Sequence, residues 1–207
     1  MKALILAAGK GTRFASSRDA HFGRTQEPAH KCLTQIGHRR VADFSLDTAV
    51  DLGVDELVLV VGYLAETIQA VYGDSYRGVP ITYTYQREQR GLVHAMSCGR
   101  EALGTADFWL FLGDEVLVDA NHQAMQKAFY HEEAFLVCGM VPTTDAERIR
   151  KNYTLAFDEE SRRIWRLVEK PRHPFTPYIG TGHCVFRNEI LAYMELMPND
   201  PRTGNKE

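Results

Sequence analysis

Apolar runs and helix-spaced apolar positions alternate through the first 115 residues of this 207-residue chain. Residues 3–8 (Ala3, Leu4, Ile5, Leu6, Ala7, Ala8) are apolar without interruption, which predicts a strand covered on both faces. Ala42, Leu46, Ala49 and Val50 recur at helical spacing, predicting a helix over about 41–52 that stops at Gly53. Residues 56–62 predict a second buried strand. Leu64, Ile68, Val71 and Tyr72 mark the next helix, closed by Gly73-Asp74. A third strand is expected over 81–85, with Ile81, Tyr83 and Tyr85 alternating against Thr82 and Thr84. Leu92, Ala95, Met96, Gly99 and Leu103 share a helical face. Residues 108–112 predict a fourth strand, ending at Gly113-Asp114.

Strand–helix alternation of this kind implies an α/β fold: an open, Rossmann-like, mostly parallel sheet with right-handed crossovers and helices on both faces. Ligands of such sheets lie beyond the carboxyl ends of the strands. That rule gathers residues 9–13, the turn after the third strand, and Gly113-Asp114 into one region. After residue 120 the pattern changes. Helices are expected near 123–130 and 146–150, strands over 135–140, 153–157, 164–169 and 180–186, and a last helix carrying Ile190, Leu191, Met194 and Met197. No linker, repeat or low-complexity segment divides the chain, so it reads as one domain over 1–207.

The first turn carries the strongest local chemistry. Gly9 and Gly11 allow a sharp bend and a close backbone approach to a ligand. Thr12 adds a hydroxyl and Arg13 a fixed positive fork, a combination suited to phosphate. It is not a Walker A loop, because Leu4 occupies the first glycine position and Gly11 the hydroxyl position. Nor is it a dinucleotide fingerprint, because Phe14 stands where the third glycine belongs. Residues 14–29, with Arg18, His21, Gly23 and Arg24, lack periodicity; a lid over phosphates and simple disorder both remain open readings.

Composition narrows the partners. At 44% hydrophobic, 25% charged and net charge −3, the chain has no strongly basic balance, and long nucleic acid is not expected. No apolar stretch has membrane-span length and Lys2 opens a strand rather than a signal peptide, so a cytoplasmic protein without a membrane partner is expected. Cys32, Cys98, Cys138 and Cys184 form no Cys-x-x-Cys pair and read as reduced thiols. The eight histidines show no metal spacing and are taken as structural or exposed.

Five motifs, in order along nearly the whole chain, resemble those of the sugar-1-phosphate nucleotidylyltransferases, nearest their glucose-1-phosphate thymidylyl- and uridylyl-transferase branches. They are Leu6-Ala7-Ala8-Gly9-Lys10-Gly11-Thr12-Arg13, the stretch from Gln86 to Ala95, Leu112-Gly113-Asp114, Val168-Glu169-Lys170-Pro171 and Thr181-Gly182. Lys31-Cys32-Leu33 adds to the match. The resemblance implies a fold of the nucleotide-diphospho-sugar transferase type, with a nucleotide-binding half over about 1–120 and a sugar-phosphate half over about 121–207. It implies Mg²⁺-assisted attack of a sugar-1-phosphate on the α-phosphorus of a nucleoside triphosphate, giving a nucleotide sugar and pyrophosphate. Related enzymes commonly self-associate, so a homo-oligomer is expected by analogy alone.

The residues suit that chemistry. Both reactants are anionic, so catalysis should consist of positioning and charge stabilisation without a covalent intermediate. Arg13 would balance charge on the leaving pyrophosphate and Lys31 would face the α-phosphate. Asp114 would hold the metal, because Mg²⁺ prefers carboxylate and phosphate oxygens. The resemblance places nucleotide contacts at Leu6, Ala8, Gly9, Gly11, Thr12, Gln86 and Gly91. The Gln86 amide can both donate and accept, as the edge of thymine or uracil requires. Glu169 and Lys170 would meet the sugar hydroxyls and the sugar phosphate, with Tyr153, Thr181 and Gly182 as weaker candidates for the pocket wall.

Three departures from the family pattern stand out. The stretch between Arg13 and Lys31 is long, and His30 stands where proline is common. Glu115 follows Asp114 where asparagine is common, and ranks below the other candidates. The family's second metal carboxylate, in a Leu-Thr-Asp segment, has no counterpart before Glu207, so the chain reads as truncated at its carboxyl end. Two alternatives stay open: the same chemistry on a cyclitol phosphate or phosphocholine, and a binding domain without turnover.

Overall fold

The computed structural model describes residues 1–11, 30–199 and 204. In chain order the strands are β1 (Lys2–Ala7), β2 (Gln35–Ile36), β3 (Arg39–Arg40), β4 (Leu57–Val61), β5 (Ser75–Tyr76), β6 (Val79–Tyr85), β7 (Phe108–Leu112), β8 (Leu136–Pro142), β9 (Tyr153–Phe157), β10 (Ile164–Glu169) and β11 (Tyr178–Phe186). Among the described residues the α-helices are α1 (Val41–Asp51), α2 (Ala65–Tyr72), α3 (Leu92–Cys98), α4 (Arg100–Leu103), α5 (His122–His131), α6 (Ala146–Arg150) and α7 (Ile190–Leu196). A 3₁₀ turn, Lys31–Leu33, precedes β2.

Seven strands form one sheet in the order β5-β6-β4-β1-β7-β11-β8. β1 lies at its centre, parallel to both β4 and β7, and β6 continues the parallel set beyond β4. On the other side β11 runs antiparallel to β7 and β8 antiparallel to β11, while β9 and β10 make a separate two-stranded ladder. The nearly continuous apolar runs of β1, β4 and β7 follow from this arrangement, because helices cover the sheet on both faces. Ile5, Leu59 and Phe111 pack on one side with Leu46, Ala49 and Ile68. Leu4, Val58 and Leu110 pack on the other with Val93, Met96, Leu103 and Leu191.

Several expectations need adjusting. The helical face from Leu92 to Leu103 belongs to two helices, with Gly99 between them. A Cβ at Gly99 would lie 2.4 Å from Leu4 Cδ1, so the break sits where the chain presses directly on β1. β2, β3 and β5 were not expected; strands of two residues carry no period to detect. β6 and β11 each begin two residues earlier than expected, and β8 runs two residues further. The segment 14–29, read as a lid or as disorder, lies outside the described residues, as do Thr12 and Arg13. Among the described residues no helix is long and apolar enough to cross a membrane.

Candidate functional site

The carboxyl ends of β1, β4, β6 and β7 meet at the first glycine turn. Gly11 has φ +58°, a left-handed conformation that glycine adopts without the steric cost other residues bear. The stem of Lys31 lies along this turn. A Cβ at Gly9 would be 3.3 Å from Lys31 Cε and 3.4 Å from its Nζ, and one at Gly11 would be 3.5 Å from Cδ. Small residues in the turn therefore leave the track in which the lysine runs.

Lys31 is aimed by the 3₁₀ turn, whose cap is His30. The buried His30 accepts the Cys32 N–H at Nδ1 over 3.2 Å, and the Leu33 N–H reaches the His30 carbonyl at 2.9 Å. Burial, followed by the charge of Lys31, lowers the His30 pKa and so favours the neutral ring that can accept this bond. At the far end of its stem, Lys31 Nζ donates to Asp114 Oδ2. Asp114 is held by the turn after β7, where Gly113 N–H bonds the Leu6 carbonyl at 3.0 Å. A Cβ at Gly113 would lie 3.3 Å from Cys32 Sγ, so the two turns are in close contact. Burial, then the Asp114 charge, pushes the Cys32 thiol up to about 12.

Gly9, Gly11, Lys31 and Asp114 thus converge on one polar, solvent-accessible corner. The Asp114 side chain is 34% exposed and paired only through Oδ2 among the described residues. It fits Mg²⁺ as a single carboxylate, since that ion usually takes one or two from protein and fills its shell with phosphate oxygens and water. No cluster of three or more His, Cys, Asp or Glu side chains suited to a metal occurs among the described residues.

Beside this corner lies a cleft of about 190 Å³ lined by Lys10, Gly62, Tyr63, Tyr85, Gln86 and Gln89 among others. Gln86 is buried in its wall. Its Nε2 donates to the Gly91 carbonyl and faces His94 Nδ1, both at 3.1 Å, which leaves Oε1 without a partner among the described residues. The amide nitrogen expected to face a base is therefore used to close the 86–91 turn. Gln89 Nε2 donates to the Ala8 carbonyl at 3.0 Å and ties that turn to β1. Nothing in the local sequence singles out Gln89, Tyr63 or His94, which the fold brings to this cleft and its turn.

The candidates of the second half form a chain of contacts. Glu169 stands opposite Tyr153 in the β10–β9 ladder and pairs with its neighbour Lys170 at 2.9 Å. Tyr153 donates its hydroxyl to the Thr181 carbonyl at 2.7 Å, and burial raises its pKa, keeping it a neutral donor. Thr181 is buried, and Gly182 N–H donates to Glu115 Oε2 at 2.6 Å. Tyr153 and Thr181 therefore brace the wall through groups already committed to each other. Glu115, ranked low from sequence, connects that wall to Asp114; only its place beside Asp114 could have signalled this.

A family model described as nucleotidyl transferase matches residues 2–206. A UTP–glucose-1-phosphate uridylyltransferase of Haloferax volcanii, AglF, is 36% identical over 200 residues, spanning 95% of this chain and 76% of that protein. A glucose-1-phosphate thymidylyltransferase of Streptomyces griseus is 29% identical over 192 residues, covering 92% of this chain and 50% of its own length. Thus the chain spans three quarters of one relative and half of the other. A solved UDP-glucose pyrophosphorylase complexed with UDP-glucose superposes with a TM-score of 0.84 at 18% identity, over 99% of this chain and 82% of that one. That likeness establishes the fold.

Proposed function

Because the chain belongs to the nucleotidyl transferase family, we propose that it couples a nucleoside triphosphate to a sugar-1-phosphate, releasing pyrophosphate. A phosphate oxygen of the sugar phosphate attacks the α-phosphorus, the bond to the β-phosphate oxygen breaks, and the electron pair leaves with pyrophosphate. The observation that supports this most is the convergence of the Gly9–Gly11 turn, Lys31 and Asp114 at the carboxyl ends of β1 and β7.

Two anions must be brought together, so the residues act by position and charge. The open glycine turn lets phosphate oxygens approach the backbone. Lys31 presents a cation that Asp114 holds in place until a triphosphate competes for it. Arg13, assigned on chemistry alone, would neutralise charge on the leaving group. Asp114 would hold Mg²⁺, which when bound screens the phosphate charges and helps align the attack. The wall formed by Tyr153, Thr181, Gly182 and Glu169 would receive the sugar. Gln86 Oε1 and the 86–91 turn would face the base, and the uridylyl- and thymidylyl-transferase relatives make UTP and dTTP the first choices.

A matrix of nucleoside triphosphates against sugar-1-phosphates, with and without Mg²⁺, tests this through pyrophosphate release. Release that requires both substrates and the metal is expected, strongest with UTP or dTTP and glucose-1-phosphate. Absence of release with every sugar phosphate, or equal release with phosphocholine or a cyclitol phosphate, would overturn the sugar assignment.

A further inference from the structure

We infer that Glu115 is a positioning residue, whose carboxylate holds the sugar-phosphate wall in place against the catalytic turn by binding the Gly182 N–H. The inference rests on the function proposed above. It starts from the way β11 is built into the sheet. The β11–β7 ladder covers only the partners Cys184 with Leu110, Val185 with Trp109, and Phe186 with Phe108. On its other side, β11 pairs with β8 from Tyr178 to Gly180 and again from Cys184 to Phe186, with an irregularity between. Gly182 therefore lies in a stretch where neither flanking ladder runs.

A buried N–H in such a gap needs a partner. Glu115 supplies it at 2.6 Å, a charge-assisted bond across 67 positions of sequence. The fit is close: a Cβ on Gly182 would lie 2.2 Å from Leu112 Cγ and 2.9 Å from Glu115 Oε2. Adjacent carboxylates on one turn thus serve different halves of the site, with Asp114 directed to Lys31 and Glu115 to β11. Glu115 Oε2 is also 3.8 Å from the buried His183 Nε2, too far for a hydrogen bond, so Gly182 is the one hydrogen-bond partner of that oxygen among the described residues. From Gly182 the linkage passes through the Thr181 carbonyl to Tyr153, which stands opposite Glu169. Displacing Gly182 should therefore disturb the sugar phosphate while leaving the nucleotide corner intact.

The competing role is a second metal carboxylate, and glutamine separates the two. Glu115→Gln keeps an oxygen of the right reach but removes the charge, whereas Glu115→Ala removes the acceptor and Glu115→Asn draws it back by one methylene. Affinities for glucose-1-phosphate and for UTP would be measured by calorimetry, together with the Mg²⁺ half-saturation of pyrophosphate release. Glu115→Ala and Glu115→Asn should weaken sugar-phosphate binding about 10- to 100-fold. UTP affinity should be unchanged, which also reports a folded nucleotide half, and Glu115→Gln should stay within about threefold of wild type. Wild-type binding with no loss in Glu115→Ala would overturn the inference alone. Equal damage in Glu115→Gln, with a raised Mg²⁺ requirement, would assign the residue to the metal instead. A wild-type chain that binds no sugar phosphate would overturn the functional proposal and this inference with it.

Discussion

Lys31 lies along the Gly9–Gly11 turn and ends on the carboxylate of Asp114, 83 positions later in the chain. The pair is partly exposed, with side chains 27% and 34% accessible, so its direct worth to stability is about 0–1 kcal/mol. Its value lies in position. Lys31→Met, which keeps the stem, and Asp114→Asn should each lower kcat about 10²–10³-fold, the scale of a lost transition-state donor. Thermal midpoints should move by no more than about 2–4 °C. Steady-state kinetics beside calorimetry of the same preparations checks both halves of this expectation.

The two glycines of the turn should fail differently. At Gly11 an added Cβ meets only ordinary contacts, but φ is +58°, so Gly11→Ala should cost about 1–2 kcal/mol in unfolding free energy. At Gly9 the added Cβ would sit 3.3 Å from the flexible Lys31 Cε. Gly9→Ala should therefore barely change stability yet raise KM for the nucleotide about tenfold, by turning the lysine aside. Denaturant unfolding and initial rates on both variants distinguish backbone strain from displacement of the cation.

The sequence made the centre of the molecule legible and left its seams obscure. β7, α6, β9 and β10 have the bounds expected of them. The parallel strands β1, β4, β6 and β7 also meet at their carboxyl ends, as strand–helix alternation requires. The Glu115–Gly182 bond was not legible: it depends on β11 entering antiparallel beside β7, which local pattern does not specify. His30 looked like a departure from a proline, whereas its ring nitrogen caps the turn that carries Lys31. The Gln86 amide is expected both to donate and to accept at a base edge, whereas its nitrogen closes its own turn, a matter of rotamer rather than residue type.

His183 gives the fold an acid limit. Burial, and then the neighbouring His122, lower its pKa from 6.5 to about 3, so the folded chain keeps it neutral where the unfolded chain protonates it. The contribution is complete above pH 6.5 and is lost progressively as pH falls from 6.5 towards 3. By pH 5 about 2 kcal/mol should have gone. Urea unfolding midpoints from pH 7.5 to 5 should fall accordingly, and His183→Asn should flatten that fall.

Gly180 should tolerate no side chain. An added Cβ would stand 1.8 Å from two carbons of the Tyr153 ring, which its hydroxyl bond to Thr181 holds in place. Gly180→Ala should cost about 1–3 kcal/mol or more through overpacking. At about 2–4 °C per kcal/mol for a chain of this size, scanning calorimetry would resolve the loss.

In the proposed reaction Lys31 meets the triphosphate. Lysine acylation read by mass spectrometry, with and without UTP and Mg²⁺, tests it most directly. Saturating nucleotide should suppress labelling of Lys31 at least about tenfold while the exposed Lys127 and Lys151 react as before. Equal labelling of Lys31 in the nucleotide-saturated protein would contradict the account.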